Sequence, residues 1–204
     1  MSSAKLRIKT FSGKLKVHCP ISLVLLGFAL ASFAAGGDYI PAPQKSSLYE
    51  YDVKAVFLYH FTRYMQWPEE AEPDVFTIVV LGRSEIIAPL QEIAKKKTVG
   101  SKPIVVRPCL EIGQIGRPRI LFIAKSAALR TAQVLEKIRG TDILAVGEVE
   151  GLASRGVAVN FVLREATVKF EISEKALKEA RIQTSSQLLK LAILIDDEKG
   201  RSER

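Results

Sequence analysis

Imidazole and thiol chemistry has little to work with in this chain. Its 204 residues include two histidines and two cysteines. His18 and Cys19 are adjacent and precede an apolar run, His60 lies among apolar residues at helical spacing, and Cys109 stands alone. Zinc needs several Cys or His ligands at short spacing, and the sequence has no such cluster. A G-x-S-x-G nucleophile turn and a G-x-x-x-x-G-K-[ST] phosphate loop are both missing, and the carboxylates are scattered. With no nucleophile, base and orienting group to assemble, the chain reads as a non-enzyme with no cofactor and no metal. One constellation has chemistry to offer. Arg83, Ser84, Arg107, Lys125 and Ser126 follow or end apolar runs that read as strands. In open parallel sheets, ligands sit outside the carboxyl ends of the strands, and hydroxyls beside helix N-termini favour anions. These five residues are the expected rim of a small-anion pocket, and a small-anion receptor is the alternative functional reading. Lys95-Lys96-Lys97 reads as a solvated helix end that complements the helix dipole, so no nucleic-acid partner is expected.

The elements that would carry these residues alternate in period. Tyr49, Val53, Val56, Phe57, His60, Phe61 and Tyr64 recur at helical spacing and predict an apolar stripe. Trp67-Pro68 ends that helix, because the residue before proline is pushed out of the α region. The run 75–81 (VFTIVVL) is short, continuous and rich in β-branched residues, as suits a strand buried on both faces. Ser84 is placed to cap a helix over 85–96. Further strands are expected at 103–107, 119–124 and 143–146, with a helix from Ser126 to Ile138 stopped by Gly140. The segments 157–163 and 167–172 are three residues apart and predict an antiparallel hairpin. A last helix is expected over 173–195, with a break near Gln183-Thr184. This alternation predicts an α/β fold of three layers: a mostly parallel sheet flanked by helices, with an antiparallel C-terminal hairpin strand.

The amino end reads as a secretory leader. Lys5, Arg7, Lys9, Lys14 and Lys16 are followed by the apolar run 21–33 and by Ala34, Ala35, Gly36 and Gly37. Positive segment, short apolar segment and small-residue exit form the order that export machinery reads. The run is too short to span a bilayer comfortably, which takes about 20 apolar residues. The expected division is a signal peptide over 1–35, cleaved near Ala34 or Ala35, a flexible linker over 36–47, one α/β domain over 48–195 and a charged tail over 196–204. The leader holds five of the 30 basic residues and none of the 22 acidic ones, so the net charge of +8 falls to +3 in the mature chain. Cys109 is then the only thiol. It cannot form a disulfide within its own chain, and a buried apolar role is expected of it.

Two stretches resemble the YfiR-like family of periplasmic regulatory proteins. The first is 50–68, EYDVKAVFLYHFTRYMQWP, which carries K-A-x-F-L-Y-x-F followed by W-P; the second is 156–192, with F-E-I and then S-S-x-L-L-x-L-A. Leu81-Gly82 and Val146-Gly147 agree in order and spacing. Two local features depart from the pattern: the turn Arg164-Glu165-Ala166 lacks a glycine, and Ser173 stands where asparagine is common. The resemblance implies a periplasmic, non-catalytic regulator. Such a protein would bind the periplasmic part of an inner-membrane signalling protein, of diguanylate cyclase or sensor kinase type, and set cyclic-di-GMP output and biofilm formation. An outer-membrane partner would relieve it. Five aromatics fall at Phe57, Tyr59, Phe61, Tyr64 and Trp67, and they cannot all face one core. Tyr59 and Trp67 are therefore expected as partner-binding residues. Leu188 and Leu189, with Ala192, form a second expected surface, suited to a homodimer.

Overall fold

The computed structural model describes residues 45–68 and 74–195. The expected signal peptide, the first part of the expected linker and the expected charged tail lie outside the described residues. The first element is α1 (Lys45–Tyr64), so the helix begins inside the segment expected to be linker. It runs directly into β1 (Met65–Gln66) before Trp67-Pro68.

The sheet forms where the apolar runs demanded it. β2 (Phe76–Leu81), β5 (Ile120–Ile123) and β6 (Leu144–Gly147) lie at its centre, and nearly every residue in them is buried. β4 (Lys102–Cys109) flanks β2, with β3 (Thr98–Val99) at the edge. On the other side come β7 (Val159–Arg164), β8 (Thr167–Ile172) and β10 (Ile193–Leu194). The order among the described strands is β10-β8-β7-β6-β5-β2-β4-β3. Strands β4, β2, β5, β6 and β7 are mutually parallel, and β8 returns antiparallel to β7.

Alternation along these strands sorts the core into two layers. Phe76, Ile78 and Val80 face one side with Ile120, Phe122, Leu144 and Val146. There they meet α1, α2 (Ile87–Lys96), α4 (Glu174–Glu179) and α5 (Ser186–Leu189) through Leu58, Phe61, Leu90, Leu177 and Leu188. Val79, Leu81, Leu121 and Ile123 face the other side and meet α3 (Thr131–Ile138) through Val134 and Ile138. The three-layer α/β fold is thus as expected. Each large aliphatic or aromatic side chain fully buried here stabilises by roughly 1.5–3 kcal/mol. Phe57, Phe61, Phe161 and Phe170 add ring contacts at centroid distances of 5.3 to 6.3 Å.

Three local expectations are corrected. The buried face of α1 matches the expected stripe only in part: Phe61 is buried and Val53 and Phe57 pack against the core, but Tyr49, Val56 and Tyr64 are exposed, while Lys54, Ala55, Leu58 and Thr62 are buried. Two polar residues enter the buried face because each has a partner, Lys54 in Glu148 and Thr62 in the Tyr59 carbonyl. Ser84 and Ser126 do not cap helices: α2 starts after Ile86 with no side-chain cap, and a 3₁₀ turn over Lys125–Arg130 precedes α3. The last expected helix is several pieces. Ser173 caps α4, and the chain then forms β9 (Gln183–Thr184), α5 and β10. β9 pairs antiparallel with β1 and breaks the helix at the expected place.

Candidate functional site

The first parallel strand, β2, sits inside the sheet. The chain next lays β4 on one side of it, and then crosses to lay β5, β6 and β7 on the other. The loops leaving β2 and β5 therefore diverge to opposite flanks, and a crevice opens between their carboxyl ends. Its floor is stitched by one serine. The Arg83 backbone N–H donates to Ser126 Oγ at 2.8 Å, and Ser126 Oγ donates back to the Arg83 carbonyl at 3.1 Å. This approach needs glycine at position 82, where φ is +96° and a Cβ would stand 2.6 Å from Ser126 Oγ. Ser84 Oγ accepts the Ile86 N–H at 3.3 Å.

Helix α1 closes one wall of the crevice with charge. Lys54 Nζ lies 2.7 Å from Glu148 and 2.5 Å from Glu50, and the Lys54 and Glu148 side chains are only 5% and 2% exposed. Glu148 follows β6 directly, so it is a third strand-end residue beside those of β2 and β5. Its other oxygen accepts the Lys125 backbone N–H at 2.9 Å. Lys54 Nζ also stands 4.7 Å from the centroid of the Tyr51 ring. Burial holds the Tyr51 phenol at about 12, above its ordinary 10.0, and the neighbouring charge of Glu148 and its hydrogen bond push in the same direction. A buried ion pair loses much of its Coulomb gain to desolvation and is poor evidence of a stability device. What it does here is fix Tyr51, α1 and the loop after β5 in one geometry.

Four of the five expected anion-rim residues meet. Arg83, Ser84, Lys125 and Ser126 line an open cleft of about 670 Å³ together with Tyr51 and Glu85. A neighbouring cleft of about 470 Å³ shares Tyr51 and Lys125 with it and reaches Lys54, Glu148 and Arg164. Arg107 does not belong. It pairs with Val79, two residues inside the strand, and its guanidinium donates to the carbonyls of Gln114 at 2.7 Å and Ile115 at 2.5 Å. Those bonds tie down the loop after β4. Sequence reasoning missed Tyr51, Lys54 and Glu148. The Glu50–Lys54 spacing and the position of Glu148 after a strand were the available signals.

The expected partner-binding residues are dispersed. Tyr59 is half-buried at the edge of the larger core, with its ring 5.9 Å from that of His60. Trp67 is half-buried and packs edge-on against Phe76 at 5.4 Å, and its Nε1 is buried without a hydrogen-bond partner. Leu189 is half-buried. Leu188 is 3% exposed and part of the core, which corrects its expected place on a surface, because α5 turns it inward against the sheet. Cys109 is buried, and burial pushes its thiol up. Among the described residues no group of His, Cys, Asp and Glu is placed to hold a metal ion, and no helix is long and apolar enough to cross a membrane.

Comparison with known proteins places this geometry in context. A family model described as YfiR/HmsC-like matches residues 51–193. No curated protein matches the chain. Among solved structures, the chain is similar to the ABC domain in complex with L-Trp from Streptococcus pneumonia, at 13% identity and a TM-score of 0.45. The match covers 61% of this chain and 56% of that one, so this chain spans little more than half of that structure's length.

Proposed function

Because the chain belongs to the YfiR/HmsC-like family, we propose that it is an exported, non-catalytic regulator. In this reading it binds the periplasmic part of an inner-membrane signalling protein, of diguanylate cyclase or sensor kinase type, and holds down its output. An outer-membrane partner relieves the hold. The observation that carries the reading is the family match over 51–193, which takes in nearly every element of the sheet and its helices.

The geometry favours the outer face of α1 as the contact surface. Tyr49 and Val56, one heptad apart, are 70% and 46% exposed, with Asp52 and Arg63 exposed beside them and Tyr59 and His60 on the flank. Exposed aromatic and apolar side chains on a rigid helix suit interface anchors. Of the aromatic pair expected from sequence, Tyr59 lies on the flank of this face, while Trp67 packs edge-on against Phe76. The test is cross-linking in intact cells, identification of the linked membrane protein, and measurement of cyclic-di-GMP with and without this gene. The expected result is a linked inner-membrane protein with a periplasmic segment, and a signalling output that rises when the gene is deleted. Tyr49→Glu and Val56→Glu should weaken the link. Unchanged output together with no membrane protein linked would reject the proposal.

A further inference from the structure

We propose that the crevice between the carboxyl ends of β2 and β5 is a binding site for a small, singly charged organic carboxylate, with Arg83 and Lys125 as its charge-binding residues. The topology creates the opening, because the chain reverses its direction of travel across the sheet between these two strands. A cleft of about 670 Å³ falls within the range of small-molecule sites, roughly 300–1,000 Å³.

The selectivity follows from which polar groups are already engaged. Ser126 Oγ is occupied by the backbone of Arg83, and Ser84 Oγ accepts from Ile86. Glu148 takes Lys54 and the Lys125 N–H. The Arg83 guanidinium and the Lys125 ammonium both line the cleft, with the Glu85 carboxylate on the same lining. Two cations from separate loops thus converge where a ligand would sit. An arginine fork matches a carboxylate's two oxygens, and a lysine adds a point charge. The same crevice limits the charge it can accept. Glu85 lines the cleft itself, Glu148 takes the Lys125 backbone N–H and Glu50 lines the adjoining cleft, so a multiply charged anion meets carboxylates beside the two cations. Tyr51 supplies a wall for the body of the ligand.

The experiment is calorimetric titration of the purified protein at low ionic strength with acetate, benzoate, citrate and inorganic phosphate. It is paired with amide chemical-shift mapping of the wild-type chain. Saturable binding of benzoate or acetate is expected, with shifts concentrated at residues 82–86 and 124–127. Arg83→Ala and Lys125→Ala should each weaken binding at least tenfold. Lys169→Ala, which removes the same charge from an exposed site on β8, should leave it unchanged. Arg83→Gln and Lys125→Gln keep side-chain bulk if an alanine variant melts early. Four compounds without saturable heat, affinity surviving in the double variant, or shifts mapping elsewhere would each overturn the site. Tighter binding of citrate or phosphate would overturn the singly charged class.

Discussion

Lys54 holds the least ordinary position in the molecule: a lysine on the core face of a helix, with an equally buried glutamate from 94 residues further along the chain. Removing one partner strands the other charge in the interior. Lys54→Met should therefore lower stability by about 3–5 kcal/mol, read from urea denaturation. Lys54→Met combined with Glu148→Met should recover most of that loss, because the stranded carboxylate goes too. Tyr51 offers a pH signature of the same cluster. Its folded pKa is raised to about 12 against an ordinary 10.0, so the folded state holds the phenolic proton more tightly than the unfolded chain does. The resulting stability is complete below pH 10 and is lost as pH rises through about 12. Alkaline titration of phenolate absorbance should show one tyrosine ionising late, and Tyr51→Phe should remove that component together with the extra alkaline instability. Gly82→Ala should cost about 1–3 kcal/mol through its left-handed backbone alone. Adding Ser126→Ala should restore only part, since Ala127 Cβ still stands 3.1 Å from the new methyl.

At the scale of elements, the β7–β8 hairpin shows a local conflict overruled by packing. The two-residue turn Glu165–Ala166 has φ of 51° and 58°, the left-handed pair that a primed hairpin turn requires and that asparagine and glycine adopt most readily. The strands enforce it, since a shift of one residue would turn Phe161 and Phe170 out of the core. Replacing the pair with Asn-Gly should raise the melting temperature by several degrees without altering register, as checked by thermal denaturation and amide spectra. The central strands were legible from their unbroken apolar runs, and the hairpin from its short gap. The inward face of α1 was not, because Lys54 looks polar until its distant glutamate is known. The break in the C-terminal helix near Gln183-Thr184 was legible too, but not the short strand formed there, which depends on Gln183–Thr184 finding Met65–Gln66. The rim residues Arg83 and Lys125 could be read from the rule that loops after parallel strands gather at one end. Arg107 satisfied the same rule in sequence, but two carbonyls a few residues ahead take its guanidinium.

For the whole molecule, the proposed export predicts a mature chain whose first residue lies within a few positions of Ala35. Amino-terminal sequencing of protein from the envelope fraction checks this, and an intact Met1 would count against it. The β1–β9 pair, with the Ser185 N–H donating to the Tyr64 carbonyl, joins the first helix to a segment near the end of the sheet. The aromatic partners of that helix, Phe161 and Phe170, come just as late in the chain. A polypeptide that emerges amino end first, from a ribosome or a translocation pore, can set its opening helix against β2 and α2 early, but must wait for its aromatic mates until almost all the rest has appeared. Vectorial synthesis thus delays closure of the native structure. Until then the part of the helix that Phe161 and Phe170 will cover stays bare.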